Sequence, residues 1–186
     1  MNVVELAIPE VKKIVPRRFL DDRGFFEQSY HEKMYQQAGI PSRFVQDNRS
    51  RSVRGVLRGL HYQLKHPQAK LVSVIRGAVL DVAVDIRRGS PTFGRWVAEV
   101  LSDENGAQLY VPEGFAHGFV VLSETVDFVY KCSDFYAPGD EYAVRWDDPE
   151  LGIDWSLTDE PLLAQKDAAA PLLADVSVAN LPEFLG

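Results

Sequence analysis

From residue 44 to residue 132 the chain is a succession of short apolar or alternating runs: 44–46, 70–76, 78–86, 96–101, 108–111, 119–122 and 128–132. Gly, Pro, Asn and Ser separate them. Runs of this kind at roughly ten-residue spacing predict an antiparallel sandwich or barrel. Arg76-Gly77-Ala78 reads as a tight connection between two strands. In the strand that follows, Leu80, Val82, Val84 and Ile86 share one face, and Asp81, Ala83 and Asp85 share the other. A face with two aspartates is either solvent or a polar pocket.

Helical signal is sparse. Residues 31–38, ended by Gly39 and Pro41, fit two turns of helix. After Trp146 the chain becomes irregular, with turns at 147–149 and 153–155 and short helical pieces within 160–170. No repeat or linker interrupts the 186 residues, a length suited to one domain with a real core. The expectation is one β-rich domain over 1–186 with an irregular C-terminal segment.

Twenty basic against 27 acidic side chains give a net charge of −7. Such a chain is not primarily a nucleic-acid binder, because phosphate contacts need a concentrated basic surface. An anionic small molecule remains compatible where basic residues converge. The one cysteine, Cys132, lies in a strand-like run and reads as a packed thiol. Residues 1–10 lack the pattern of a signal peptide and no run approaches a membrane span, so the expectation is a cytoplasmic protein without membrane contact.

Two runs place a histidine where chemistry is plausible: Arg58-Gly59-Leu60-His61-Tyr62-Gln63, and Val111-Pro112-Glu113-Gly114-Phe115-Ala116-His117-Gly118-Phe119. The Pro-x-Gly-x-x-His spacing of the second is the one small cupin-type barrels use to aim a histidine inward. In a metal-binding cupin the first run would read His-x-His; here it reads His61-Tyr62-Gln63. His31 and His66 read as surface residues, so three converging ligands are not in view and the pattern points away from a metal. Acid–base chemistry needs less: a histidine held by a carboxylate, and an acid across the substrate. Candidate carboxylates are Asp81, Asp85 and Asp167; candidate acids are Tyr130 and Tyr136. Lys70 and Arg58 are able to supply positive charge.

Together these residues resemble the dTDP-4-dehydrorhamnose 3,5-epimerase family. The likeness runs from about Arg17 to Leu173 and includes Asp22-Arg23-Gly24-Phe25-Phe26, Phe44-Val45-Gln46-Asp47-Asn48, the two histidine runs, Gln68-Ala69-Lys70-Leu71-Val72, Asp81 through Arg87, Ser90-Pro91-Thr92-Phe93-Gly94, Tyr130-Lys131 and Lys166-Asp167. The resemblance implies a mainly β, cupin-like jelly roll, usually a homodimer whose N-terminal strands cross to the partner. It implies cofactor-independent epimerisation of dTDP-4-dehydro-6-deoxy-D-glucose on the route to dTDP-L-rhamnose. On the matching motifs His61 would be the base, Asp167 its orienting carboxylate, Tyr130 the acid on the opposite face, and Lys70 the neighbour of the C4 oxygen. Arg23, Gln46, Asp47, Asn48, Arg58, His117, Glu141 and Lys166 fall in the motifs that bind the ligand. One position departs: Gln28 stands where the family usually carries glutamate, with Glu27 one residue earlier. An enzyme inverting only C3 or only C5, or a metal-dependent cupin, are the competing readings.

Overall fold

The computed structural model describes residues 1–40 and 43–186, so Pro41, expected to end the first helix, lies outside the described residues. Two antiparallel sheets face each other. The first runs, edge to edge, β1 (Asn2–Glu5), β2 (Lys12–Val15), β10 (Gln108–Val111), β7 (Lys70–Arg76), β12 (Thr125–Cys132) and β5 (Gln46–Val53). The second runs β13 (Glu141–Ala143), β6 (Leu57–Gln63), β11 (Phe115–Val121), β8 (Ala78–Asp85) and β9 (Trp96–Ser102). A separate hairpin joins β3 (Arg18–Asp21) to β4 (Gly24–Glu27). Among the described residues, helix is confined to α1 (Glu32–Gln37), α2 (Gln165–Ala168) and two 3-10 turns. The expected jelly roll is therefore the architecture observed.

Gly77, at φ +83°, makes the tight connection foreseen from the sequence, but it joins strands of different sheets. β7 and β8 thus lie in opposite layers, with β7 facing β9 and β8 facing β12 across the barrel. Between the sheets lie Val72, Val74, Val79, Leu101, Phe119 and Phe128. Phe119 and Phe128 stack with centroids 4.2 Å apart. Truncating a buried ring of this kind costs about 3–5 kcal/mol, so this pair is a principal clamp between the layers.

The second sheet is buried on its other face too. Leu57, Leu60, Val82 and Val84 pack there against Leu151, Trp155, Leu173 and Leu181 of the C-terminal segment. That explains the irregular tail: its task is to cover a sheet, and it is fastened by indole donors, Trp96 Nε1 to the Leu151 carbonyl and Trp155 Nε1 to the Trp146 carbonyl, both 2.9 Å. The polar face of β8 divides. Asp81 points into the barrel, whereas Asp85 reaches neither solvent nor the barrel interior and clamps a corner with Arg87, Ser90 and Thr92.

On the outer face of β12, Asp127 takes a bidentate pair from Arg51 (2.8 and 2.6 Å) and a contact from Arg49 (3.1 Å). The Arg51 hydrogen bond, helped by Arg49 against burial, brings its carboxyl down to about 2 from an ordinary value of 3.8. A folded-state pKa below the unfolded one means stability that is present above the ordinary value and lost as pH falls through the folded one. Asp127→Asn should lower the melting temperature at pH 7, and the gap from wild type should close between pH 4 and pH 2, in calorimetric scans.

Candidate active site

The barrel opens on a polar cavity with two connected lobes. One, of about 280 Å³, is lined by Gln46, Asn48, Tyr62, Gln63, Phe115 and Tyr136 among others. The second, of about 440 Å³, is lined by Ser50, Arg58, Phe119, Lys166 and Asp167 among others. His61, Lys70, His117, Tyr130 and Glu141 border both.

Strand pairing explains how the histidines meet. His61 and His117 are cross-strand partners of β6 and β11, and the register slips just beyond them. At that slip Gly59 and Gly118 pass backbone to backbone. A Cβ on Gly59 would lie 2.5 Å from Gly118 Cα, and one on Gly118 would lie 2.7 Å from the Arg58 carbonyl. Neither position accepts a side chain.

Each histidine has its own carboxylate. His61 Nε2 lies 2.6 Å from Asp167 Oδ1, and the Gly59 amide reaches Asp167 Oδ2 at 3.5 Å. Burial raises the Asp167 pKa, but the His61 hydrogen bond and charge outweigh it and hold the carboxyl below its ordinary range. His117 Nε2 lies 3.0 Å from both oxygens of Asp81. Burial pushes the His117 pKa down against the pull of Asp81, which keeps that ring neutral. Burial likewise raises the carboxyl of Asp81, opposed by His117 and Lys70. Of the three candidate carboxylates, Asp167 faces His61, Asp81 serves the other histidine, and Asp85 is excluded from the pocket.

Lys70 opens β7 opposite Cys132, and burial lowers its pKa against the pull of Cys132, Asp81 and Glu141. Burial raises that of Tyr130, with Cys132 adding and Arg58 opposing, so its hydroxyl keeps its proton through the neutral range. Tyr136, the other candidate acid, sits at the rim, where its amide donates to Gln46 Oε1 at 3.0 Å. Gln46 also donates to Asn48 at 3.1 Å. Arg58 is steadied by Ser52 Oγ at 3.2 and 3.1 Å, and Lys166 by both oxygens of Glu141 at 2.8 Å. Cys132 is a buried free thiol, as expected from its strand.

Three of the foreseen ligand residues are not brought into this cavity. Asp47 lies on the opposite face of β5 from Gln46 and Asn48, by strict strand alternation, and pairs there with Lys131 at 2.9 Å. Arg23 is at the hairpin tip, its side chain 90% exposed and paired with Asp21 at 2.6 Å. Gln28 follows the hairpin and is exposed, while Glu27 binds Arg18 at 2.6 Å.

Other residues escaped sequence reading. Gln63, in the place of the absent second histidine, donates to the His66 carbonyl (2.7 Å) and accepts from the Ala137 amide (2.9 Å), tying down the rim. Asp140 accepts the Lys65 amide at 2.9 Å and the His66 amide at 2.8 Å. Gln63 could have been found from its place in the motif; nothing local marks Asp140. Among the described residues, no three His, Cys, Asp or Glu side chains group as a metal-ligand set. Likewise, none of the described helices is long and apolar enough to cross a membrane.

A jelly roll closed around a polar cavity, with a carboxylate-held histidine, a lysine and a tyrosine on its walls, defines a cupin-like enzyme. The model of the dTDP-4-dehydrorhamnose 3,5-epimerase family matches residues 5–175. The dTDP-4-dehydrorhamnose 3,5-epimerase of Pseudomonas aeruginosa is 58% identical over 176 residues, 94% of this chain and 97% of its own. Among solved structures, the 3,5-epimerase of Legionella pneumophila in complex with dTDP-4-keto-L-rhamnose superposes with a TM-score of 0.97. It is 53% identical and covers 100% of this chain and 99% of its own. A 3'-monoepimerase of Streptomyces bikiniensis in complex with dTDP-quinovose also superposes, with a TM-score of 0.90 at 38% identity over 96% and 92%. The chain belongs to the dTDP-4-dehydrorhamnose 3,5-epimerase family, and it is an isomerase.

Proposed function

We propose that this enzyme converts dTDP-4-dehydro-6-deoxy-D-glucose to dTDP-4-dehydro-L-rhamnose, in the synthesis of dTDP-L-rhamnose, with His61 as base and Tyr130 as acid. The observation that carries the assignment is the 2.6 Å His61–Asp167 contact in a cavity walled by Tyr130 and Lys70. C3 and C5 both flank the C4 ketone, so loss of a proton from either gives an enolate. His61 takes that proton while Asp167 holds its ring and favours the imidazolium that forms. Lys70 offsets negative charge growing on the C4 oxygen. Tyr130 returns a proton to the opposite face. No cofactor enters these steps.

Arg58 and Lys166 supply local positive charge to the diphosphate in an otherwise acidic chain. Gln46, Asn48, His117 and Glu141 complete the ligand shell. A homodimer is part of the same reading. The β3–β4 hairpin exposes Leu20 (81%), Phe26 (68%), Phe19 and Phe25, an apolar surface that a second copy of the chain would cover. Crossing to the partner would bring Arg23 and Gln28 to a ligand. A monomeric mass by light scattering at micromolar concentration overturns this part. Free nucleotide sugars place the reaction in the cytoplasm.

Turnover in deuterium oxide, coupled to the reductase that consumes the product, tests the reaction. Label at both C3 and C5 is the expected result. The 3'-monoepimerase of the same fold makes a single-centre enzyme the second reading, and label at one carbon alone would establish it.

A further inference from the structure

The run Asp85-Ile86-Arg87 and the Ser90–Thr92 turn take no part in this chemistry, yet they form a buried charged joint beside the cavity. Arg87 is only 12% exposed. Its Nε and Nη2 donate to Asp85 at 2.9 and 2.7 Å, and Nη2 also reaches Glu10 at 3.1 Å. Asp85 in turn accepts from Ser90 Oγ at 2.5 Å and Thr92 Oγ1 at 2.6 Å. Pinned along its edge, the guanidinium offers both faces. Its Cζ lies 4.5 Å from the ring centre of Phe115 and 4.9 Å from that of Phe184. A guanidinium fixed along its edge and set over two rings is an arrangement that favours cation–π contact with both.

Phe115 ties this joint to the site. It begins β11 opposite Asp85, precedes His117 by two residues on the same side of the strand, and lines the smaller lobe. Gly114, lining that lobe too, lies beneath Arg87: a Cβ there would sit 2.7 Å from Arg87 Cγ and 3.8 Å from Pro182 Cβ. The tail holds the same wall at a second point, where the Tyr62 hydroxyl donates to the Asn180 carbonyl at 2.9 Å. Between these anchors the Arg88 amide donates to the Pro182 carbonyl (2.8 Å) and the Phe184 amide to the Arg88 carbonyl (2.9 Å). All of these tail residues lie beyond residue 175, where the family match ends.

We infer that Phe184 is a positioning residue: with Arg87 it clamps Phe115, so the C-terminal tail sets the wall of the smaller lobe against which the substrate is held. The inference rests on the epimerase reading above. A wall residue acts on binding and leaves the base and acid in place.

The test is Phe184→Ala and Phe184→Tyr in the full chain, assayed with dTDP-4-dehydro-6-deoxy-D-glucose, alongside hydrogen–deuterium exchange. Loss of one stacking face should raise KM about tenfold with kcat changed by less than about twofold. Phe184→Tyr should restore the wild-type KM. Exchange at 111–119 should quicken in Phe184→Ala while exchange at 70–76 stays as in wild type. An unchanged KM in an active Phe184→Ala enzyme overturns the inference, as does a fall in kcat and melting temperature without a change in KM. A wild type without turnover sinks the epimerase reading instead, and unchanged exchange at 111–119 then decides against the clamp.

Discussion

Replacing His61 with asparagine should reduce solvent-deuterium exchange at both C3 and C5 by about 10²–10⁴-fold, the share general base catalysis supplies. Asparagine is the informative choice because its amide keeps a donor for Asp167. An alanine would leave that carboxylate, buried in the cavity wall, with the Gly59 amide at 3.5 Å as its remaining hydrogen bond to the strand. Stranding a buried charge destabilises a fold by several kcal/mol, and lost activity would then report unfolding. With asparagine the melting temperature should stay near wild type while exchange collapses at both carbons together. Both carbons share one fate because His117, the other carboxylate-held histidine of the cavity, is weakened as a base by burial and spends its Nε2 on Asp81. Exchange surviving at one carbon would assign that proton to another base, with His117 first in line. Exchange near wild type at both would remove His61 from the mechanism.

What could be read from the residues depended on whether apolar alternation survived. Strands 70–76 and 108–111 coincide with β7 and β10, and 78–86 differs from β8 by one residue. For β5 (Gln46–Val53) the apolar pattern reaches only 44–46. Its inward residues Gln46, Asn48, Ser50 and Ser52 line or adjoin the polar cavity, and its outward ones include Asp47, Arg49 and Arg51. A strand polar on both faces has no hydrophobic period to detect. For β11 (Phe115–Val121) the apolar pattern begins only at 119, because His117 and Gly118 break the run, and those are the residues the site needs. The strands β1, β3 and β4 leave no such signal, being short and largely exposed, and β2, though partly buried, spans only four residues. The His61–Asp167 pair spans 106 positions and joins a strand to a single helical turn of the tail. Strand and tail meet only because the second sheet buries its outer face under that tail, a packing fact no local pattern encodes. Asp167 stands out in the sequence by likeness to a family alone, and Asp81 and Asp85 are distinguished by their partners, His117 for one and Arg87 for the other. Asp47 shows the limit of motif carry-over: adjacency in sequence places neighbours on opposite faces of a strand.

Tyr130→Phe should separate two steps that wild type runs together. The substitution removes one oxygen and keeps the ring, which packs against Phe128 at 5.9 Å between centroids, so the barrel and its melting temperature should be retained. His61, Asp167 and Lys70 are untouched, and an enolate still forms and takes a proton back on the side it left. In deuterium oxide the recovered starting sugar should therefore carry label. Inverted product, which needs a proton from the other face, should fall by about 10²–10⁴-fold. The ratio of exchange to inversion is the quantity to measure, by mass spectrometry of both sugars at low conversion. It should rise at least about tenfold over wild type, since the partly buried phenol holds its proton through neutrality and its loss removes the acid on that face. If Tyr136 at the rim were the acid, Tyr130→Phe would leave the ratio unchanged and Tyr136→Phe would raise it. If exchange and inversion fell together in Tyr130→Phe, the hydroxyl would be serving the enolate oxygen beside Lys70, and the proton on the opposite face would have to come from elsewhere.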